Sequence, residues 1–259
     1  MDPVAFQIGN ITVYWYGIII ATAVIIGLIL VIKQSEKQGI ASEFFLDFII
    51  IAIPVTIISA RAYYVIFRWN IYKTDLTQIF AVWKGGLAIH GAILGGFFTL
   101  VFMTRKRHIS LARAVDILTP SVVLGQAIGR WGNFINQEAY GGIVSEGFIN
   151  HFPQFIKNQM YINGKYYHPA FLYESLWDFS IFIILIINRR KEYLLDGDLL
   201  LIYAIFYSSG RFFIEGLRTD SLMIGQYKVA QLISIIIIVI SGTLFFWRHR
   251  KSVNEEEVK

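Results

Sequence analysis

In YSSGRFFIEGLRTD, Tyr207, Arg211 and Glu215 recur at every fourth residue, so a helix here lines up a phenol, a guanidinium and a carboxylate on one stripe, with Arg218 three residues further on. The stripe reads two ways. Glu215 can neutralise its arginines as plain scaffolding, yet two arginines against one carboxylate leave positive charge that an anionic ligand would balance. A second stretch, GRWGNFINQEAYG (129–141), puts Arg130, Asn133 and Gln137 on one face if the helix continues, and Gly129 and Gly132 leave room for a neighbour. Asn136 and Glu138 follow before Gly141-Gly142 ends the pattern. Polar residues at a helix end can simply cap and anchor it. Arginine among amide donors also suits a phosphate, because the guanidinium fork makes bidentate, charge-assisted bonds.

A third stretch, GGLAIHGAILGG (85–96), surrounds His90 with glycines, and Gly91-xxx-Gly95 is a spacing for close helix packing. A neutral imidazole can serve as a general base near neutral pH or donate a single structural hydrogen bond. In HPAFLYES (168–175), Pro169 suits the first turn of a helix, Tyr173 is equally an interfacial anchor, and Glu174 adds polar contacts. Neither histidine sits in a metal-ligand spacing such as HExxH, so no metal is expected.

The elements that carry these residues follow from composition. The 259 residues are 56% hydrophobic and 16% charged, with a mean hydropathy of +0.56, whereas soluble domains are about 25% charged. Apolar stretches near 14–32, 45–66, 86–104, 114–135, 169–188, 198–214 and 229–247 give seven candidate spans. The expected fold is therefore an all-α polytopic membrane protein with seven transmembrane helices, read as a single domain over 1–259 without internal repeats. A central arginine or aspartate in lipid costs roughly 2.5–3.5 kcal/mol on insertion scales. Arg61, His90, Asp116, Arg130, Glu138, Arg211 and Glu215 thus need a reason, as do the neighbouring Tyr16, Asn133, Asn136 and Tyr207. With no cysteine, a disulfide, a thiolate metal site and a cysteine nucleophile on the protein are excluded.

Seven crossings place the termini on opposite sides. With the N-terminus outside, the inner segments hold thirteen lysines and arginines (Lys33, Lys37, Arg105, Lys106, Arg107, Arg113, Arg189, Arg190, Lys191, Arg248, Arg250, Lys251, Lys259). The outer segments hold seven (Arg68, Lys73, Lys84, Lys157, Lys165, Arg218, Lys228), which favours N-out, C-in. Such clusters facing anionic lipid account for the net charge of +5 without nucleic acid. The longest outer loop, 136–168, becomes a small extracytoplasmic cap, in which Asn163-Gly164 marks a tight β-hairpin. Residues 75–83 space Leu76, Ile79, Phe80 and Trp83 as a helix lying in the interface, and 248–259 form a cytoplasmic tail.

Intramembrane arginines and histidines also line transport paths, so an anion or phospholipid transporter is the main alternative. The polar groups gather toward one face, where a through-path needs both. A light-sensing seven-helix protein is disfavoured because no lysine lies inside the final span.

Taken together, WYG (15–17), GGLAIHG (85–91), GRWGNFINQEAYG (129–141), HPAFLYE (168–174) and GRFFIEGLRTD (210–220) resemble, in order and across essentially the whole chain, the prolipoprotein diacylglyceryl transferases of bacterial inner membranes. Lys228 stands where an arginine is common. The resemblance implies a cofactor-free enzyme of the bacterial cytoplasmic membrane. It would move the diacylglyceryl group of phosphatidylglycerol onto the lipobox cysteine thiol of preprolipoproteins and release glycerol 1-phosphate, the first step of lipoprotein maturation. It also implies that Tyr16, Arg61, His90, Asp116, Arg130, Asn133, Asn136, Glu138, Tyr207, Arg211, Glu215 and Arg218 match positions the family treats as functional. On this expectation Arg130 and Arg211 stabilise the departing phosphate, and His90 takes the thiol proton. Asn133 and Asn136 orient the headgroup, Glu138 and Glu215 position arginines, and Tyr16, Tyr207 and Arg218 complete the substrate site. Arg61 and Asp116 support it.

Overall fold

The computed structural model describes every residue but Asn10, Arg190, Glu192, Asp220, Val258 and Lys259, and of Lys84 and residues 252–257 the backbone alone. Arg190 and Lys259 of the charge argument therefore lie outside the described residues. Long apolar runs form the long helices: α1 (Trp15–Lys37), α2 (Ser42–Phe67), α4 (Ile89–Lys106), α5 (Leu111–Asn136), α8 (Ala170–Asn188), α9 (Asp198–Leu217) and α10 (Val229–Glu257). The short helices are α3 (Trp69–Tyr72), α6 (Glu146–Ile149) and α7 (Gln154–Gln159). Among the described residues six helices are long and apolar enough to cross a bilayer: α1, α2, α5, α8, α9 and Val229–Lys251 of α10. The chain is thus a mostly helical, multi-pass membrane protein. The remaining long helix, α4, has 18 residues that include His90, Arg105 and Lys106, and these polar residues keep it out of that set.

The chain divides into two compact units, Val31–Ala114 and the combination of Met1–Leu30 with Val115–Lys259. In the first, α2 and α4 pack closely because glycine leaves no side chain between them. A Cβ on Gly91 would stand 2.7 Å from Tyr63 Cβ, and one on Gly95 would stand 2.6 Å from Ser59 Oγ. Residues 75–83 differ from expectation. They form two 3₁₀ turns, Leu76–Phe80 and Val82–Lys84, rather than one α-helix. Asp75 caps the first by accepting the Thr77 N–H at 3.1 Å, and Ala81 between them leaves the helical region at ψ 63°. Leu76, Phe80 and Trp83 are exposed all the same.

The other unit contains the first part of α1, most of α5, helices α8 to α10, and the cap. Strands β1 (Val4–Ile8) and β2 (Ile11–Tyr14) form an antiparallel hairpin that leads into α1. In the cap, β3 (Ile143–Val144), β4 (Tyr161–Ile162) and β5 (Lys165–Tyr167) form a sheet in the order β3-β5-β4. Asn163 and Gly164 both have positive φ, as the expected tight turn requires. The cap has its own apolar core of Phe134, Ile149, Ile156, Met160 and Phe171. Gln159, buried beneath it, donates its amide to the carbonyls of Phe134 and Ile135 at 3.0 and 2.9 Å, and so satisfies the end of α5. A last hairpin, β6 (Met223–Ile224) with β7 (Tyr227–Lys228), joins α9 to α10.

Candidate active site

Helix α5 ends at Asn136, and the next residues turn sharply, with Gln137 at φ 52° and Ala139 at φ 56°. Gln137 therefore leaves the face of Arg130 and Asn133, and its amide donates instead to the Gln159 carbonyl at 2.7 Å. Three backbone bonds stitch the following loop to the helices beside it. Gly141 N donates to His168 O at 3.0 Å, His168 N to Gly142 O at 2.9 Å, and Gly142 N to Leu217 O at 2.8 Å. Gly141 has to be glycine, since a Cβ there would lie 2.7 Å from His168 Cβ. The ends of α5, α8 and α9 are in this way held together around one polar centre.

That centre is Glu174. Its Oε2 meets Arg130 Nη1 at 3.0 Å, and its Oε1 meets Arg211 Nη1 at 3.0 Å and Arg218 Nη1 at 3.4 Å. Arg211 Nη2 also pairs with Glu215 Oε2 at 2.7 Å, one helical turn away. The carboxylates are shut in, with side chains 6% and 3% exposed, while those of Arg130 and Arg211 keep 20% and 25%. Three guanidiniums thus gather on two buried carboxylates, and those of Arg130 and Arg211 are more exposed than the acids that hold them. Arg130, Arg211 and Tyr207 line a small cleft with Glu174, Trp177 and Asp178.

Several neighbours set these side chains in place. Trp177 donates its indole N–H to Phe206 O at 2.9 Å, and its ring fills the space that a Cβ on Gly210 would need. Tyr207 stacks on Tyr203 with centroids 5.4 Å apart, and the Tyr203 hydroxyl is hydrogen-bonded to the Gln126 amide on α5. Tyr16 packs against Gly132, where a Cβ would meet its ring. Lys228 donates to the carbonyls of Glu215 at 2.6 Å, Gly216 at 3.2 Å and Arg218 at 2.9 Å. An ammonium at the C-terminal carbonyls of α9 holds the turn that carries Glu215 and Arg218.

The structure brings Arg130, Tyr207, Arg211, Glu215 and Arg218 into one cluster. Asn133, one turn beyond Arg130 on α5, donates to Glu138 Oε1 at 2.8 Å, so Glu138 holds an asparagine and not the arginine pair of the expectation. Asn136 is exposed. Asp116 is far from the cluster along the chain: fourteen residues before Arg130 on the same helix is about 21 Å at 1.5 Å per residue. There it accepts the N–H groups of Gly197 at 2.6 Å and Leu200 at 3.1 Å, capping the start of α9.

Arg61 and His90 belong to the other compact unit. Arg61, 6% exposed, donates to the carbonyls of Gln78, Ile79, Gly85 and Gly86 and lies over the Tyr72 ring at 5.0 Å. It clamps the segment that leads into α4, on which His90 is the second residue. His90 is exposed and its ring stacks on that of Tyr63, 5.8 Å between centroids with the planes inclined by 26°.

Sequence reasoning gave Glu174 polar contacts only, outside the site residues, and passed over Asp178. Glu174 and Asp178 stand one turn apart in an apolar helix, so the rule that flags intramembrane charge applies to them as it does to Arg211. It also missed a second polar cluster, in which Asp198, fully buried, meets Arg248 at 2.9 Å and His249 at 2.7 Å. Polar groups consequently occupy both ends of α9, which removes the one-sided distribution as an argument against transport.

The family model described as prolipoprotein diacylglyceryl transferase matches residues 3–247. The chain belongs to the prolipoprotein diacylglyceryl transferase family. Three relatives, each named phosphatidylglycerol–prolipoprotein diacylglyceryl transferase, agree over nearly their full length. The protein of Bacillus velezensis is 51% identical over 254 residues, covering 97% of this chain and 93% of the relative. That of Listeria innocua is 51% identical over 97% of this chain and 91% of the relative, and that of Halalkalibacterium halodurans 50% over 97% and 87%. Membership in the diacylglyceryl transferase family makes the arginine cluster, rather than a through-path, the feature that chemistry must account for.

Proposed function

We propose that the chain transfers the diacylglyceryl group of phosphatidylglycerol to the cysteine thiol of a prolipoprotein. The observation that carries this reading is the set of three arginines gathered on Glu174, two of which, Arg130 and Arg211, line a cleft. In the transfer, a C–S bond forms at the glycerol carbon that bears the phosphate, the C–O bond to that phosphate breaks, and glycerol phosphate leaves with the electron pair. Negative charge therefore grows on the phosphate oxygens. Arg130 and Arg211, already oriented by buried carboxylates, meet that charge without reorganising, which is the condition under which electrostatic stabilisation is largest. Asn133, Asn136, Glu138, Tyr16, Tyr207, Glu215 and Arg218 shape the headgroup site.

A thiol has an ordinary pKa of about 8.5, so its proton must be removed near neutral pH. His90 is the base in this proposal, and Arg61 and Asp116 act through the segments they hold. We read α4 as the seventh crossing, the N-terminus as outside, the cap at 136–168 as extracytoplasmic, residues 248–259 as cytoplasmic, and the bacterial cytoplasmic membrane as the location. The whole chain serves as one transferase domain, in keeping with a family match over residues 3–247.

The test is to incubate purified protein with phosphatidylglycerol and a lipobox peptide and to weigh the peptide by mass spectrometry. A diacylglyceryl mass on the cysteine is expected, and none on a Cys→Ser peptide. An unmodified cysteine peptide after exhaustive incubation overturns the proposal.

A further inference from the structure

Helix α8 presents two carboxylates to the cleft, one turn apart, and they are treated differently. Glu174 takes three arginines, whereas Asp178, 2% exposed, has an Oδ2 without any hydrogen-bond partner. The oxygens of Glu174 and Glu215 that lack a well-angled hydrogen bond are nonetheless in ion pairs at 3.0 and 2.7 Å. Asp178 Oδ2 has neither. A buried polar atom left unsatisfied carries a desolvation penalty of roughly 1–3 kcal/mol, more when charged, so native structures keep such atoms where something else supplies the partner.

The surroundings restrict that partner. Asp178 lines the same cleft as Arg130, Arg211, Tyr207 and Trp177. A phosphate goes to the guanidiniums and not to a carboxylate. An ammonium headgroup would have to sit beside the guanidiniums of Arg130 and Arg211, where like charge opposes it. A neutral donor meets neither objection, and a single hydroxyl, about the size of the one water the cleft can hold, can reach Asp178 while the phosphate it is tethered to stays at the guanidiniums.

We infer that Asp178 Oδ2 accepts a hydroxyl of a polyol phosphodiester headgroup while Arg130 and Arg211 hold its phosphate, and that Asp178 thereby selects glycerol over headgroups without hydroxyls. This rests on the transfer reaction proposed above. It deepens that reading by naming the group that recognises the leaving half of the lipid. Asp178 is a binding and specificity residue and takes no part in bond making.

The experiment compares phosphatidylglycerol with phosphatidylpropanol, an equally anionic phosphodiester whose headgroup has no hydroxyl, as donors to a lipobox peptide. Wild type is expected to favour phosphatidylglycerol in kcat/KM by roughly tenfold or more, the range of a hydrogen bond to a charged group. In D178A the ratio should fall to within about threefold of unity, with phosphatidylpropanol turnover retained as evidence of an intact fold. D178N, of nearly equal volume and still bearing one acceptor oxygen, should give an intermediate ratio, and carries the test if D178A does not accumulate. The inference is overturned if wild type uses both lipids equally, if the ratio survives in the variants, or if folded variants lose both activities in parallel, which would make Asp178 structural. Failure of wild type to convert either lipid refutes the transfer reaction itself and is distinct from these outcomes.

Discussion

Arg130 Nη1 lies 3.0 Å from Glu174 Oε2, a contact between two helices whose residues are 44 apart in the chain. The same carboxylate holds Arg211 and Arg218 through its other oxygen. One acidic side chain thus sets the positions of three cationic ones, and it is more deeply buried than any of them.

Removing that charge should be the most damaging single change in the cluster. Glu174→Gln removes the carboxylate that Arg130, Arg211 and Arg218 share, and loss of one partner of a buried pair typically costs about 3–5 kcal/mol. We expect thermal stability in detergent to drop by several degrees and activity by more than about 100-fold. A variant that melts and turns over like wild type would refute the role of Glu174.

Charge alone should not replace the guanidinium fork. Arg211 bridges Glu174 and Glu215 through separate nitrogens, which a lysine ammonium cannot do with the same geometry. Arg211→Lys and Arg130→Lys are expected to fold yet lose about 10- to 100-fold in kcat/KM, and the alanine variants about 100- to 1,000-fold. Wild-type kinetics in either alanine variant would exclude that arginine from the phosphate site.

His90→Gln should separate chemistry from binding. The side chain is exposed and stacked on Tyr63 without being buried in the packing between α2 and α4, so the fold should tolerate the change. Turnover should fall by about 100-fold or more, the usual contribution of a positioned acid or base. Phosphatidylglycerol binding, followed by a labelled lipid, should stay within about threefold of wild type, the contribution here being to chemistry and not to affinity. Unchanged turnover would transfer the base role to another group.

A methyl group at Gly210 should act at a distance. Its Cβ would enter the Trp177 indole, and overpacking of this kind costs about 1–3 kcal/mol. Gly210→Ala should therefore reduce activity by displacing the adjacent Arg211, and the double variant Gly210→Ala/Trp177→Ala should recover part of it. Absence of any recovery would show that the indole is not the obstacle.

Asp116 should affect stability before chemistry. It accepts two N–H groups at the start of α9, and loss of such a cap costs about 1 kcal/mol, up to 2. Asp116→Ala is expected to lower the melting temperature with a smaller loss of kcat than Arg211→Ala. If it abolishes turnover in fully folded protein, Asp116 has a more direct part in the reaction than capping.

Much of this protein was determined by local sequence. Long apolar runs make spans because lipid offers backbone groups no partner outside a helix. Asn163-Gly164 makes a hairpin because both positions need positive φ, and Arg211 pairs with Glu215 because four residues are about one turn. Each of these depends on neighbours within a few residues. Tertiary structure alone decided that Glu174 is the common counter-ion, that Asp178 faces the cleft unpartnered, that Arg61 clamps the carbonyls of Gln78, Ile79, Gly85 and Gly86, and that Asp116 caps α9. Charge in a helix shows that a partner is needed, but which partner it finds depends on how separate helices pack, and no local period encodes that.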